Sequence, residues 1–279
     1  MTPLAFLLFH SILEKLQRTT RTSGRSQSWN TTSQMSVSVA PRVRQPLDLP
    51  PPYSLVTLRE TGDAFACACR IAPDEGAGAL VHVGRFDVIE FAVVLEPEEA
   101  LAVARRAFFV GMGALAHAIG AHSPPEKAVN FDWPDVILFD GARIGGARLG
   151  WPSDCREDET PAWLVFSVML LGSKIDAGDP GLTPDSTSLE EERFFENGDA
   201  IIESFARYLM IGFDTWSNDG FEPSAIEYLS RLTLPGKHRL APNGDLLVGS
   251  GEDAMLRLPL LPALNDRAWL DPTTRAPRF

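Results

Sequence analysis

The chain has 279 residues, 44% apolar and 22% charged, enough for a sizeable core in one large domain or one domain with a small appendage. Its formal charge of −12 argues against a general nucleic-acid binder, because affinity for phosphates comes mainly from Lys and Arg. Three cysteines (Cys67, Cys69 and Cys155) are too few, and odd in number, for a disulfide framework, and they suit a reducing cytoplasm.

Charge is uneven along the chain. Residues 1–47 hold six basic residues and one acid, a charge of +5 that leaves −17 for the remainder. Their apolar run Leu4–Phe9 is too short to span a bilayer. The segment reads as a disordered leader, or as sequence ahead of a start at Met35. Its Arg/Ser-rich, acid-poor composition also suits an organellar transit segment. The expectation is a cytoplasmic protein without a membrane or nucleic-acid partner.

Leu47–Pro52 carries three prolines and reads as extended chain. Tyr53–Leu58 reads as a short strand, and Asp63 as the N-cap of a helix through about Ile71. The stretch from Pro73 to Gly78 reads as a loop. Ala79–Val83 and Val88–Leu95 are apolar, β-branched runs joined by a turn at Arg85–Asp87. Pro97-Glu98-Glu99 opens a helix to about Ile119, with its acids at the positive end of the dipole. Val136–Phe139 and Arg143–Leu149 flank Asp140-Gly141, a two-residue hairpin signal. Trp163–Leu171 is continuously apolar, as a buried strand would be. A Gly/Asp/Pro-rich loop covers 172–187, Ser188 and Glu191 are spaced as a capping box, and helices are expected over Ala200–Asn218 and Pro223–Leu232. Lys237–Leu240, Leu246–Val248 and Met255–Leu258 then read as strands, with Asn243-Gly244 a strong hairpin turn. Hairpins outnumber crossover helices, so the expected fold is α+β with a mixed, largely antiparallel sheet rather than a parallel one.

Two stretches carry candidate chemistry. In the first, Asp132-Trp133-Pro134-Asp135 leads into a hairpin that returns as Arg143-Ile144-Gly145-Gly146-Ala147-Arg148. Strand glycines often mark close approach of a ligand, and the arginines would supply fixed positive charge for a carboxylate or phosphate. The plainer reading is a bulged hairpin with surface arginines. The second is Asp74–His82, in which Gly76 and Gly78 precede His82 on a strand; a lone histidine so placed is more often structural than functional. Cys67 and Cys69 lack further ligands nearby and read as core residues, and Cys155 has no base beside it in sequence.

The first stretch resembles the K-W-P-N-D motif and G-x-K/R-x-x-G hairpin of biotin–protein ligases, through Trp133, Pro134, Asp135, Gly141, Arg143 and Gly146. Ser186–Glu190 is similar to the family's A-T-S-L and acid, Asp219–Pro223 to its later turn, and Gly236–Val248 to the start of its small C-terminal barrel. Asp74–His82 resembles the lipoate ligase and octanoyltransferase motif R-R-x-S-G-G-G-A-V-Y-H, whereas the biotin-ligase G-R-G-R-R-G version is absent. The chain is thus identified as resembling the biotin/lipoate–protein ligase superfamily over roughly residues 54–258. Where the family has lysines, Asp132 and Arg143 stand here, and arginine is not a neutral replacement.

The resemblance implies a class II synthetase-like catalytic domain over 48–234 and a small β-rich domain over 235–279, after a leader over 1–47. It implies binding of a small carboxylic acid (octanoate, lipoate or biotin), with ATP and Mg²⁺ as cofactors and a biotinyl or lipoyl carrier domain as acceptor. Arg143 and Asp135 would serve catalysis. Gly76, Gly78, His82, Asp132, Trp133, Gly145, Gly146 and Arg148 would line the substrate. The loss of both lysines raises the alternative of a non-catalytic module that binds an acyl ligand or a carrier protein.

Overall fold

The computed structural model describes residues 47–279 apart from 52, 176–179, 195–197 and 250–254. The expected leader therefore lies outside the described residues, Leu47 excepted. A seven-stranded sheet dominates, built from β1 (Ser54–Leu58), β2 (Ala79–Val83), β3 (Val88–Leu95), β4 (Val129–Asp132), β5 (Val136–Phe139), β6 (Ala142–Gly150) and β7 (Leu164–Leu171). The strand order is β1-β2-β3-β7-β6-β5-β4. β1 pairs with β2 in parallel through the crossover helix α1 (Ala64–Glu75), and every other neighbour is antiparallel.

One face of the sheet carries the main core. Helices α3 (Ala107–His122) and α4 (Gly198–Asp219) lie across it. Leu80, Phe91, Phe166 and Val168 of the strands pack against Phe108, Leu115 and Phe205. Phe205 stacks on Phe166 at 5.8 Å and tilts over Phe91 at 4.9 Å. The long apolar stretch Leu101–His122 is buried inside this core. Helix α5 (Glu222–Ser230) closes the end beside β4, where Tyr228 Oη donates to the Pro134 carbonyl at 2.8 Å.

The other face is shared. Helix α1 covers β2, β3 and β7 through Ala64, Ala68 and Ala72 against Val81, Val83, Ala92 and Val165. The end of the chain covers the rest. After a three-stranded sheet of β8 (Lys237–Leu240), β9 (Leu246–Gly249) and β10 (Leu256–Leu258), helix α6 (Leu260–Asn265) inserts Leu260 and Leu264 into the main core. Arg105 ties this unit to the body by donating to the Asn243 carbonyl at 2.8 Å. Residues 266–279 then run back over the sheet, and Trp269 packs on Val88, Met169 and Leu171.

Several boundaries differ from the sequence expectations. Helix α1 continues through Pro73 to Glu75, because Gly76 N–H closes its last turn on the Ala72 carbonyl at 3.1 Å. The helix expected from Pro97 is two pieces, a four-residue α2 (Leu101–Ala104) and α3. Its start shifts to Leu101 because Leu101 and Ala102 donate to the carbonyls of Glu159 and Glu157, at 2.8 and 3.0 Å. Strand β4 and helix α6 were not expected from the sequence at all.

Candidate functional site

Register places Val83, Glu90, Met169, Gly146 and Val136 side by side on five successive strands. Directly opposed residues share a face, so this row lies on the α1 side of the sheet. Along β6 the same face is presented by Arg148, two residues past Gly146. Over Gly146 lies the indole of Trp269: a Cβ at 146 would stand 2.3 Å from its ring carbons. The bare backbone there is what admits the ring. Trp269 Nε1 donates to Asp135 Oδ2 at 2.9 Å, and both residues are almost fully buried.

Beside the indole the row opens into two adjoining cavities. One, of about 480 Å³, is lined by Arg148, Arg267, Arg275 and Arg278, with Asp63 and Asp266 as its carboxylates. The other, of about 360 Å³, is lined by Arg85 and Arg275 facing Glu60, Asp63, Asp87 and Glu90. Asp63, Met169 and Arg275 belong to both.

The Arg148 side chain is 7% exposed, and its guanidinium lies over the Phe65 ring at 4.5 Å. Its Nη2 lies 3.9 Å from Asp63 Oδ1, too long for a hydrogen bond. Its Nε and Nη2 are buried without an acceptor among the described residues. Burial pulls its pKa down, against the opposing pull of Asp63 and Glu90. Asp63 is itself committed as the cap of α1, accepting from Ala66 N at 2.8 Å. Glu90, 1% exposed, accepts from Ala64 N at 2.7 Å, and burial raises its pKa. Burial likewise pushes Asp135 up to about 7, opposed by the Trp269 hydrogen bond.

The structure brings together some of the sequence-nominated residues and separates others. Gly146, Arg148 and Asp135 meet under Trp269 and the arginine cavity. Arg143 lies further along β6, where its guanidinium donates to the Arg278 carbonyl at 3.3 and 3.4 Å. Gly145 pairs with Leu170 at a bulge facing the main core, and a Cβ there would lie 2.0 Å from the Met169 carbonyl oxygen. Asp132 is exposed at the end of β4 and accepts from the Thr233 hydroxyl.

Trp133 packs with Phe109 and Tyr228 in the main core and lines neither cavity. His82 points to the opposite face: it neighbours Phe91 in register and stands 3.9 Å from Asp199 at the start of α4. Gly76 and Gly78, both at positive φ, turn the chain from α1 into the far end of β2. That end is about 15 Å from the row, at roughly 3.3 Å per strand residue.

Sequence reasoning missed Asp63 as more than a cap, Glu90, Arg85, and the C-terminal group Arg267, Trp269, Arg275 and Arg278. Glu90 carried a signal, being the one charge within the apolar run Val88–Leu95. The C-terminal residues carried none, since they lie in irregular chain far from β6 in sequence. Mg²⁺ finds little support in the donor set: no group of three or more His, Cys, Asp or Glu is placed to hold a metal among the described residues.

A largely antiparallel sheet, with its two long helices on one face and α1 beside an arginine-lined cavity on the other, defines an α+β protein. Residues 49–230, more than half the chain, match the model of the biotin/lipoate A/B protein ligase family, and the chain belongs to that family. It is 27% identical over 161 residues to a biotin–[acetyl-CoA-carboxylase] ligase of Paracoccus denitrificans, an alignment covering 54% of this chain and 63% of that protein. Among solved structures it is similar to a biotin protein ligase-like protein of unknown function from Silicibacter sp. TM1040, with 28% identity, a TM-score of 0.67, and coverage of 77% of this chain and 97% of that one. The biotin protein ligase of Aquifex aeolicus in complex with biotin and ATP shares the fold at 12% identity and a TM-score of 0.55, with 73% and 94% covered.

Proposed function

We propose that this protein binds a carboxylic acid of the biotin, lipoate or octanoate type on the Gly146 face of the sheet and activates it with ATP. The observation that carries this reading is the buried Arg148, which lines a cavity large enough for a small ligand and has two donors without an acceptor among the described residues. Buried donors without an acceptor are costly, and an anion in the cavity would offer them one. The relatives support the reading by their printed names, one a biotin–[acetyl-CoA-carboxylase] ligase and another a ligase in complex with biotin and ATP.

In this reaction the acid's carboxylate attacks the α-phosphorus of ATP and pyrophosphate leaves. A carrier-domain lysine amine then attacks the acyl carbonyl and AMP leaves. Neither cavity is lined by lysine, so arginine must stabilise the developing charge, by positioning and electrostatics alone.

That same lack of lysine favours a second reading, a ligase-like module that binds an acyl ligand or a carrier protein without turnover. The test is purified protein with ATP, each acid and hydroxylamine. Hydroxamate and pyrophosphate formed with one acid support activation. Saturable binding of an acid without pyrophosphate release favours the second reading, and no binding of any of the three acids overturns both.

A further inference from the structure

Residues 266–279 lie on the sheet without joining it. Among the described residues, no backbone hydrogen bond links them to a strand; their backbone bonds close on the segment itself or on the end of α6. Arg278 N donates to the Trp269 carbonyl at 2.8 Å, Asp271 N to the Ala276 carbonyl at 2.9 Å, and Arg275 N to the Asp271 carbonyl at 2.8 Å. The Asp271 carboxylate accepts from Thr273 N and Thr274 N at 2.7 and 3.2 Å. The result is a self-bonded loop, closed at its neck by the bridge between Leu270 and Pro277. Side chains fasten it to the body: Trp269 Nε1 on Asp135, and the Arg143 guanidinium on the carbonyls of Arg278 and Phe279. A loop that carries its own hydrogen bonds gives up few of them on leaving the sheet, so it can move as a unit.

Its one deep insertion falls where the sheet offers bare backbone. A Cβ at 146 would stand 2.3 Å from the indole of Trp269, so not one further carbon fits between ring and strand. The ring is 1% exposed and belongs to a small cluster with Val88, Met169 and Leu171, apart from the main core. A ligand lying on Gly146 and the indole in this position therefore exclude each other. Strap residues also wall both neighbouring cavities, Arg275 among them. The movement that uncovers Gly146 unroofs both.

We propose that residues 266–279 are an autoinhibitory strap: Trp269 occupies the bed over Gly146 in place of the acid, and the acid binds there only when the strap has lifted. This rests on the reading that the acid binds on the Gly146 face. The chain's own indole is then a tethered competitor, and the apparent affinity for the acid is reduced by the fraction of molecules in which the strap is down.

The test is binding of biotin, lipoate and octanoate, as separate probes, to the full chain and to its Trp269→Ala and Trp269→Phe variants, with tryptic cleavage followed in parallel. Trp269→Ala binds at least one acid about tenfold or more tightly than the parent. Trp269→Phe keeps a ring on Gly146 and loses only the bond to Asp135, so it gains less. In the unmodified chain, saturating acid speeds cleavage after Arg267 and Arg275, because bound acid holds the strap off. Cleavage after Arg207, in the middle of α4, reports unfolding of the body and stays unchanged. Thermal melting verifies that the variants fold; where Trp269→Ala does not, Trp269→Phe and cleavage of the unmodified chain decide. An acid that binds parent and variants equally, or binds the variants more weakly, overturns the strap and leaves the acid-binding reading standing. So does an acid that slows cleavage of the strap, which would then be closing over its ligand. No binding of any acid to parent or variants overturns the acid-binding reading, and the strap's inhibitory role with it.

Discussion

Asp135 sits 2% exposed beneath Trp269, with its carboxyl raised to about 7 from an unfolded value near 3.8. Folding therefore favours its protonated form. The stabilising contribution is complete below about pH 4 and is lost as pH rises through 7, a change on the order of 4 kcal/mol at most. Asp135→Asn keeps an acceptor for the Trp269 indole N–H and removes the titration. The variant should melt at the same temperature as the parent near pH 4 and several degrees higher above about pH 8, at roughly 2–4 °C per kcal/mol for a body of this size. An equal difference at both pH values would show that Asp135 is held ionised throughout. The arginines follow the same physics in reverse. Arg148 cannot shed its proton as a carboxyl can gain one, so its unmet donors remain a standing demand for an anion.

At the scale of elements, helix α1 and strand β3 are tied together at one point. Asp63 caps the helix through Ala66 N, and Glu90 of β3 takes the Ala64 N–H from the side. Both are carboxylates at the helix's positive end, where the dipole favours them. Asp63→Ala should cost about 1 kcal/mol of stability, the usual cost of losing such a cap, and lower the melting temperature by a few degrees. A change within error would mean that Glu90 alone suffices to start the helix. Much at this scale was legible beforehand. Strands β2 and β3 match their expected bounds because runs that are mostly apolar and rich in Val and Ile leave little choice, and the Asp140-Gly141 and Asn243-Gly244 turns adopt positive φ at Asp140, Gly141 and Gly244. Strand β4 was not legible: Val-Asn-Phe-Asp at a sheet edge is short and half polar. Face assignment also failed locally. His82 looked like a neighbour of the glycine loop, yet strand alternation sends it to the α4 side while Val83 joins the site row. A motif match fixes sequence neighbours, not faces.

For the whole molecule, what is least legible is what matters most at the site. Gly146 and Trp269 are far apart in sequence, and nothing in the periodicity of residues 266–279 announces that they cross β6. The segment is held by few anchors. Trp269 is 1% exposed, and it is supported by Leu270 and Ala276, by the bridge between Leu270 and Pro277, and by the Arg143 contacts to the Arg278 carbonyl. Most of the body's core, by contrast, lies on the other face of the sheet and does not involve these residues. A segment secured mainly by one large side chain should open by itself at lower cost than the global transition. Trp269→Ala removes a contact of the kind worth about 3–5 kcal/mol in a rigid core. Here the loss should appear locally: tryptic cleavage after Arg267 and Arg275 should speed up at least about tenfold, since cleavage of an opened state tracks its population. The melting temperature of the body should fall by only a few degrees, because the segment is already free to release before the sheet unfolds. A large drop in melting temperature with no gain in cleavage would instead make the C-terminal segment part of the same cooperative unit as the seven-stranded sheet. The site would then be assembled in a single folding step, with no separate docking of its arginines.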